Sequence, residues 1–143
     1  MKCEVVIDKC EPKRVVIYTD KRSALTETIE RLCADDDLSL VGYKDKESVL
    51  LDIAKVNCFM VEAEKVFALT NDGKYQLKSR LYRIEEMLSD NFIKINQSCI
   101  ANIKMIKRFD ASISGQLTVY FQNGHRDYVS RRKIKAVKQK FGL

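Results

Sequence analysis

The sequence predicts an α+β fold that is mainly β, with a small α+β segment ahead of a strand-rich domain. Three observations predict it. Short apolar runs alternate with polar residues at a period of two, as where Leu117, Val119 and Phe121 interleave with Thr118, Tyr120 and Gln122, the pattern of half-buried strands. Hairpin signals, Asn71-Asp72-Gly73 and Asn123-Gly124, separate such runs. Helical periodicity is confined to short stretches that follow Ser23, Ser79 and Ser130, three residues able to cap a helix.

In chain order, Val5-Val6-Ile7 and Val15-Val16-Ile17-Tyr18 read as strands parted by Glu11-Pro12. After Ser23, Leu25, Ile29 and Leu32 recur at i, i+4 and i+7, with Glu27, Glu30 and Arg31 on the other face. Asp35-Asp36-Asp37 lacks the glycine and terminal glutamate of a calcium loop and reads as a solvated turn. Strands around Leu38–Tyr43 and Ser48–Leu51 complete a segment of residues 1–53. From Val56 strands dominate: Cys58–Glu62, Lys65–Thr70 and Lys74–Lys78, then a helix capped by Ser79 with Leu81, Ile84 and Leu88 on one side.

The stretch Phe92–Phe109, FIKINQSCIANIKMIKRF, organises the remainder. Phe92-Ile93-Lys94-Ile95 alternates like a strand, Asn96-Gln97-Ser98 is a polar patch, and Cys99–Ile106 is a second apolar run interrupted by Asn102. Two apolar segments thus hold up a loop of amides and a hydroxyl, groups that can read a base edge or grip a phosphate. After Leu117–Gln122 and the Asn123-Gly124 hairpin, His125–Val129 forms the last strand, and Ser130 caps a helix with Ile134, Val137 and Phe141 as its seam. Arg132 lies roughly opposite that seam. Arg131, Arg132 and Lys133 occupy the first turn, where the helix dipole opposes cations. A bound anion offsets that cost.

Charge sharpens this reading. The net charge of +6 divides into −4 over residues 1–64, +2 over residues 65–103 and +8 over residues 104–143. A basic block of this density favours a polyanion near the C-terminal half. Five cysteines without a CxxC spacing and a single histidine, His125, make a zinc site or a disulfide framework improbable; buried, reduced thiols are expected. His125 has no nucleophile partner that the sequence can locate, and phosphate-binding glycine fingerprints are absent. The expectation is a protein that is not an enzyme, with no catalytic residues, no metal, no cofactor and no small-molecule substrate. Without a signal-peptide stretch or an apolar run of about 18–20 residues, it is expected in the cytoplasm.

The motifs in their order resemble the LytTR DNA-binding domain of bacterial transcription regulators. Phe59-Met60-Val61-Glu62-Ala63 looks like that family's opening strand, and FIKINQSCIAN with IKMIKRF like its core. Asn123-Gly124 and Val129-Ser130-Arg131-Arg132 look like its ending. The resemblance covers about residues 56–143. It implies an elongated fold of about ten strands that inserts loops into successive major grooves and bends the DNA. Carried over by position, it makes Gln97, Arg132 and Lys65 base-contacting. It makes Lys94, Asn96, Ser98, Lys104, Ser130, Arg131, Lys133 and Lys135 backbone-contacting, and Asn102 a loop brace. The Ala63-Glu64-Lys65 loop is shorter than the basic segment of many members.

The whole chain resembles the stand-alone regulators of the family, which have a short N-terminal segment and no receiver domain. This implies residues 1–53 as a dimerisation or regulatory segment and residues 54–143 as the DNA-binding domain. Its implied partners are promoter DNA in paired repeats, a second copy in a homodimer, and a small membrane protein that restrains it. Two other readings stay open from the residues alone: a nonspecific RNA- or DNA-binding protein, and a protein-interaction adaptor working through its N-terminal segment.

Overall fold

The structure, a computed structural model, describes residues 9–10, 15–34 and 39–143. Its backbone forms two compact units, residues 1–36 and 37–143. The expected strand Val5–Ile7 and the Asp35–Asp37 turn lie outside the described residues, as does the side chain of Leu32.

In the first unit, helix α1 spans Ala24–Ala34. Ser23 caps it as expected, in a reciprocal arrangement. The Thr26 N–H donates to Ser23 Oγ at 3.3 Å, and the Ser23 N–H donates to Thr26 Oγ1 at 2.8 Å. Thr26 is buried, whereas Leu25 of the expected seam is exposed. Val15–Tyr18 does not form the expected strand; its side chains are exposed, and it is paired with no described strand.

The second unit is built on a seven-stranded antiparallel sheet. Its strands are β1 (Ser39–Lys44), β2 (Glu47–Asp52), β3 (Val56–Glu62), β4 (Lys65–Thr70), β5 (Lys74–Leu77), β6 (Phe92–Asn96) and β7 (Cys99–Asn102), in the order β2-β1-β5-β4-β3-β7-β6. A three-stranded antiparallel sheet follows, of β8 (Ile106–Ala111), β9 (Leu117–Phe121) and β10 (Arg126–Val129), ordered β10-β9-β8. Helix α2 spans Leu81–Met87 and α3 spans Arg131–Phe141.

At β3 and β7 the large sheet is buried on both faces, which is why these strands read as nearly continuous apolar runs. One face packs Phe59, Val66, Ala68, Leu77 and Ile100 against Leu81 and Ile84 of α2. The other packs Cys58, Leu69, Ile95, Cys99 and Ala101 against Leu117, Val119, Phe121 and Val129 of the small sheet, with Val137 of α3. Gly42 lets β1 lie close, because a Cβ there would stand 2.7 Å from the Tyr75 Cβ and from Leu51 Cδ1.

Three expectations change. The boundary at 53/54 falls inside this sheet. Strands β1 and β2 pair with each other and join β5 through Tyr43 and Gln76, while Leu51 belongs to the core on the α2 side. The N-cap of α2 is Arg80 rather than Ser79, and no side chain caps it. Cys58 and Cys99 are buried as expected, but Cys10 is exposed.

Candidate nucleic-acid interface

Antiparallel pairing sorts the loops of the second unit to two ends. Met60 pairs with Cys99 and Glu62 with Lys65, so the β3–β4 turn and the β6–β7 turn share one end. The Val61 N–H donates to Ser98 O at 2.8 Å and ties these turns together. The start of α3 joins them, because the Ser130 N–H donates to Ile95 O at 2.8 Å. Lys65, Gln97, Ser98, Arg131 and Arg132 are all exposed at this end, and Lys133 is half-buried. Lys135 is exposed one turn further along α3.

Each element has a local cause. The β3–β4 turn is tight, with positive φ at both Ala63 (49°) and Glu64 (64°), the twist of a type I′ hairpin without its usual glycine or asparagine. The β6–β7 turn is shaped by Asn96, whose Oδ1 accepts the Ser98 N–H at 2.8 Å. Ser130 occupies the N-cap of α3 as expected, but its hydroxyl makes no capping bond. The first-turn N–H groups are therefore not satisfied by a side-chain cap, and the Ser130 hydroxyl is not engaged by the helix.

Asn96 does not take the expected position of a phosphate contact. It is 2 % exposed, and its Nδ2 donates to Asp127 Oδ1 at 3.0 Å and to Tyr128 O at 2.8 Å. Both amide hydrogens and the carbonyl are thus engaged inside the protein. Lys94 is half-buried beside α2, with its Nζ 3.6 Å from Glu85 Oε2. Lys104 does not join the others. It follows Asn102 at the opposite end of β7, where Asn102 accepts the Lys104 N–H at 3.1 Å and donates to Ala54 O and Val56 O at 3.2 and 2.8 Å. Asn102 is the brace that was expected.

Sequence reading missed the outward face of the small sheet. There Tyr120 lies in register between Arg108 and Arg126, with the Arg108 guanidinium 3.6 Å from the Tyr120 ring centroid. Thr118 and the exposed Tyr128 form the next row towards α3. The alternation through β9 and β10 was the available signal.

Behind the turn, the Cys99 thiol is pushed up by its contact with the Cys58 thiol and by burial, with Asp127 adding to it. The Cys99 thiol therefore stays protonated and unreactive. Burial lowers His125, against the opposing pull of Asp127, while Lys74 lowers it further. Its Nε2 is buried without a hydrogen-bond partner, 4.0 Å from Asp127 Oδ2. Among the described residues no helix is long and apolar enough to cross a membrane, and no group of three or more His, Cys, Asp or Glu could hold a metal ion.

Comparison with known proteins shows the family and the fold. Residues 46–142 match the family model of the LytTr DNA-binding domain. Proteins of Staphylococcus aureus described as uncharacterized HTH-type transcriptional regulators match over the full chain. The one from strain NCTC 8325 is 32 % identical, covering 100 % of this chain and 99 % of its own length. The one from bovine strain RF122 is 33 % identical with the same coverage. A solved LytTr DNA-binding domain of a response regulator from Bacillus cereus superposes with a TM-score of 0.68 at 20 % identity, over 73 % of this chain and 97 % of its own. The relatives' description names a helix-turn-helix type, yet here five strands separate α2 from α3, and no two described helices form such a unit. With a family match over most of its length and relatives that span all of it, the chain belongs to the LytTR family of DNA-binding transcription regulators.

Proposed function

We propose that this regulator reads double-stranded DNA sequence-specifically through the major groove, with the Gln97 turn and the start of α3, and bends the duplex as it does so. One observation carries the reading. The bonds from Ser130 N to Ile95 O and from Asn96 Nδ2 to Tyr128 O join an exposed amide and an exposed arginine into one rigid end. Gln97 can bond adenine at N6 and N7, and Arg132 can bond guanine at O6 and N7. Lys65 at the neighbouring hairpin is the third base contact. Ser98, Ser130, Arg131, Lys133 and Lys135 hold phosphates. The uncapped first turn of α3 supplies N–H donors, which suits an anion. Arg108, Arg126 and Tyr128 extend this surface along the small sheet.

The protein works in the cytoplasm without catalysis, as a homodimer on paired sites. The dimer reading is motivated by β2, an edge of the large sheet among the described residues, on which Leu50 is exposed opposite the exposed Val41. Its acidic N-terminal region suits protein contacts better than DNA, and a small membrane protein that restrains the regulator is a second partner. The solution mass, together with equal or unequal affinity for one-site and two-site DNA, decides the dimer. A truncation for that purpose should begin at residue 37, because one beginning at 54 removes β1 and β2 from the sheet.

The function is tested by selecting duplexes from a random library with the purified protein, then competing the selected duplex against scrambled duplex and RNA. Strong preference for the selected duplex is expected. Affinity should also fall steeply with salt, and Lys133→Ala or Lys135→Ala should each flatten the log–log slope by about 1. Equal competition by RNA or scrambled DNA would leave a nonspecific binder.

A further inference from the structure

We propose that Asp127 is the positioning residue for base reading: its carboxylate orients the buried Asn96 amide and so holds the Gln97-Ser98 turn in register with Arg132. The proposal rests on the reading of Gln97 and Arg132 as base contacts.

The chain of contacts is short. Asp127 Oδ1 accepts the Asn96 Nδ2–H at 3.0 Å and the Tyr128 N–H at 2.8 Å, so the carboxylate is itself fixed by its own strand. Asn96 Oδ1 then accepts the Ser98 N–H at 2.8 Å, two residues ahead. Gln97, exposed between them, has its direction set by that turn. An amide side chain has two orientations related by a half-turn, and neighbours select one. A carboxylate accepts only, the Tyr128 carbonyl accepts only, and the Ser98 N–H donates only. All three therefore select the same orientation of Asn96, and Asp127 is the one side chain among them.

Charge supports the assignment. Residues 104–143 hold two carboxylates, Asp110 and Asp127, in a stretch with ten Lys and Arg. Asp110 lies 3.7 Å from the Arg108 guanidinium. Asp127 has no Lys or Arg within salt-bridge distance among the described residues; its nearest basic group is the His125 imidazole at 4.0 Å. A negative charge near bound phosphates opposes DNA affinity. Phosphate binding gives no reason for it, whereas an acceptor-only group for Asn96 does.

The test is a double-mutant cycle in the full chain, crossing Asp127→Ala with Gln97→Ala. Binding is measured on a duplex selected by the wild-type protein and on its scrambled counterpart, with thermal melting of each variant. Asp127→Ala should lower discrimination between the two duplexes about tenfold, with scrambled binding unchanged or slightly tighter. In the Gln97→Ala background the same change should cost less than about twofold. Asp127→Asn, equal in size and able both to donate and to accept, should give an intermediate loss, and it carries the cycle should the alanine variant not fold. The same penalty in both backgrounds, or equal loss on both duplexes, would overturn the positioning role. If Gln97→Ala alone leaves discrimination intact, Gln97 reads no base and the proposal falls with the functional reading, a result distinct from an additive cycle.

Discussion

Two buried asparagines stand at opposite ends of the sheet and do the same local work with different partners. Asn102 and Asn96 are 1 % and 2 % exposed, and each accepts the N–H of the residue two ahead. Asn102 donates both amide hydrogens to main-chain carbonyls, of Ala54 and Val56. Asn96 donates one to a carbonyl and one to a carboxylate. The first brace is written into the backbone of two chain segments and serves the fold. The second depends on a replaceable side chain beside the surface proposed to face DNA. The contrast separates a brace closed by main chain alone from one that a single side-chain substitution can alter.

Removing each brace should expose that difference most strongly. Asn102→Ala leaves two carbonyls and an N–H without their partner, the Val56 carbonyl among them in a buried bond, and should cost about 3 kcal/mol of stability. Asn96→Ala should cost less, about 2 kcal/mol, because the Asp127 side chain is 18 % exposed and water can replace part of the loss. Urea midpoints measure both. Discrimination between selected and scrambled duplex should fall only for Asn96→Ala; equal effects on discrimination would break the comparison. Next come the exposed readers. Gln97→Ala and Arg132→Ala should each cost about 1–3 kcal/mol on the selected duplex and much less on scrambled DNA, with melting unchanged. Lys104→Ala, at the Asn102 end, should leave discrimination intact.

A smaller effect sharpens the same division through the β3–β4 turn. Glu64 holds a left-handed backbone without being glycine. Glu64→Gly should raise stability by about 0.5–1 kcal/mol, the relief of the left-handed strain less the entropy of an added glycine. Unchanged or lower stability would show that the turn is held by something other than its own conformation. The smallest effect is on pH. Burial lowers His125 below its ordinary 6.5, so the unfolded chain binds the proton more readily. That contribution should therefore be complete above about pH 6.5 and be lost as pH drops below it, down through the folded value. Asp127 opposes the shift, so the loss is modest. His125→Gln should remove that part of the dependence below about pH 6.5, as read by melting temperature.

Much of the end proposed to face DNA was legible because its signals are local. Alternation marked β6 and β9, turn residues marked the hairpins, and the basic first turn of α3 stood out against its dipole. The Asn123-Gly124 hairpin formed, although as a turn in which Gly124 alone takes positive φ (87°), not the type I′ turn that asparagine-glycine favours. What stayed hidden depends on partners distant in sequence. Nothing in Asn96 itself says that Asp127, 31 residues on, engages its amide. Nothing in β1 and β2 says that they continue the large sheet rather than close a separate segment. Val15–Tyr18 has strand propensity but no described neighbour to pair with, and propensity alone does not make a ladder. Ser79 lies one residue before the N-cap that the backbone adopts, within the usual uncertainty of helix ends.

The central claim, that this end of the protein reads base edges in the major groove, is tested most directly by removing one ring nitrogen from the DNA. Guanines of the selected duplex are replaced one at a time by 7-deazaguanine, which pairs normally but lacks the N7 acceptor. The affinity of wild-type protein and of Arg132→Ala is measured for each. The account predicts one guanine at which the wild type loses about tenfold and Arg132→Ala loses nothing further. If wild-type affinity is indifferent to every substitution, or if Arg132→Ala remains as sensitive as the wild type at the same guanine, Arg132 does not read that base and the account is contradicted.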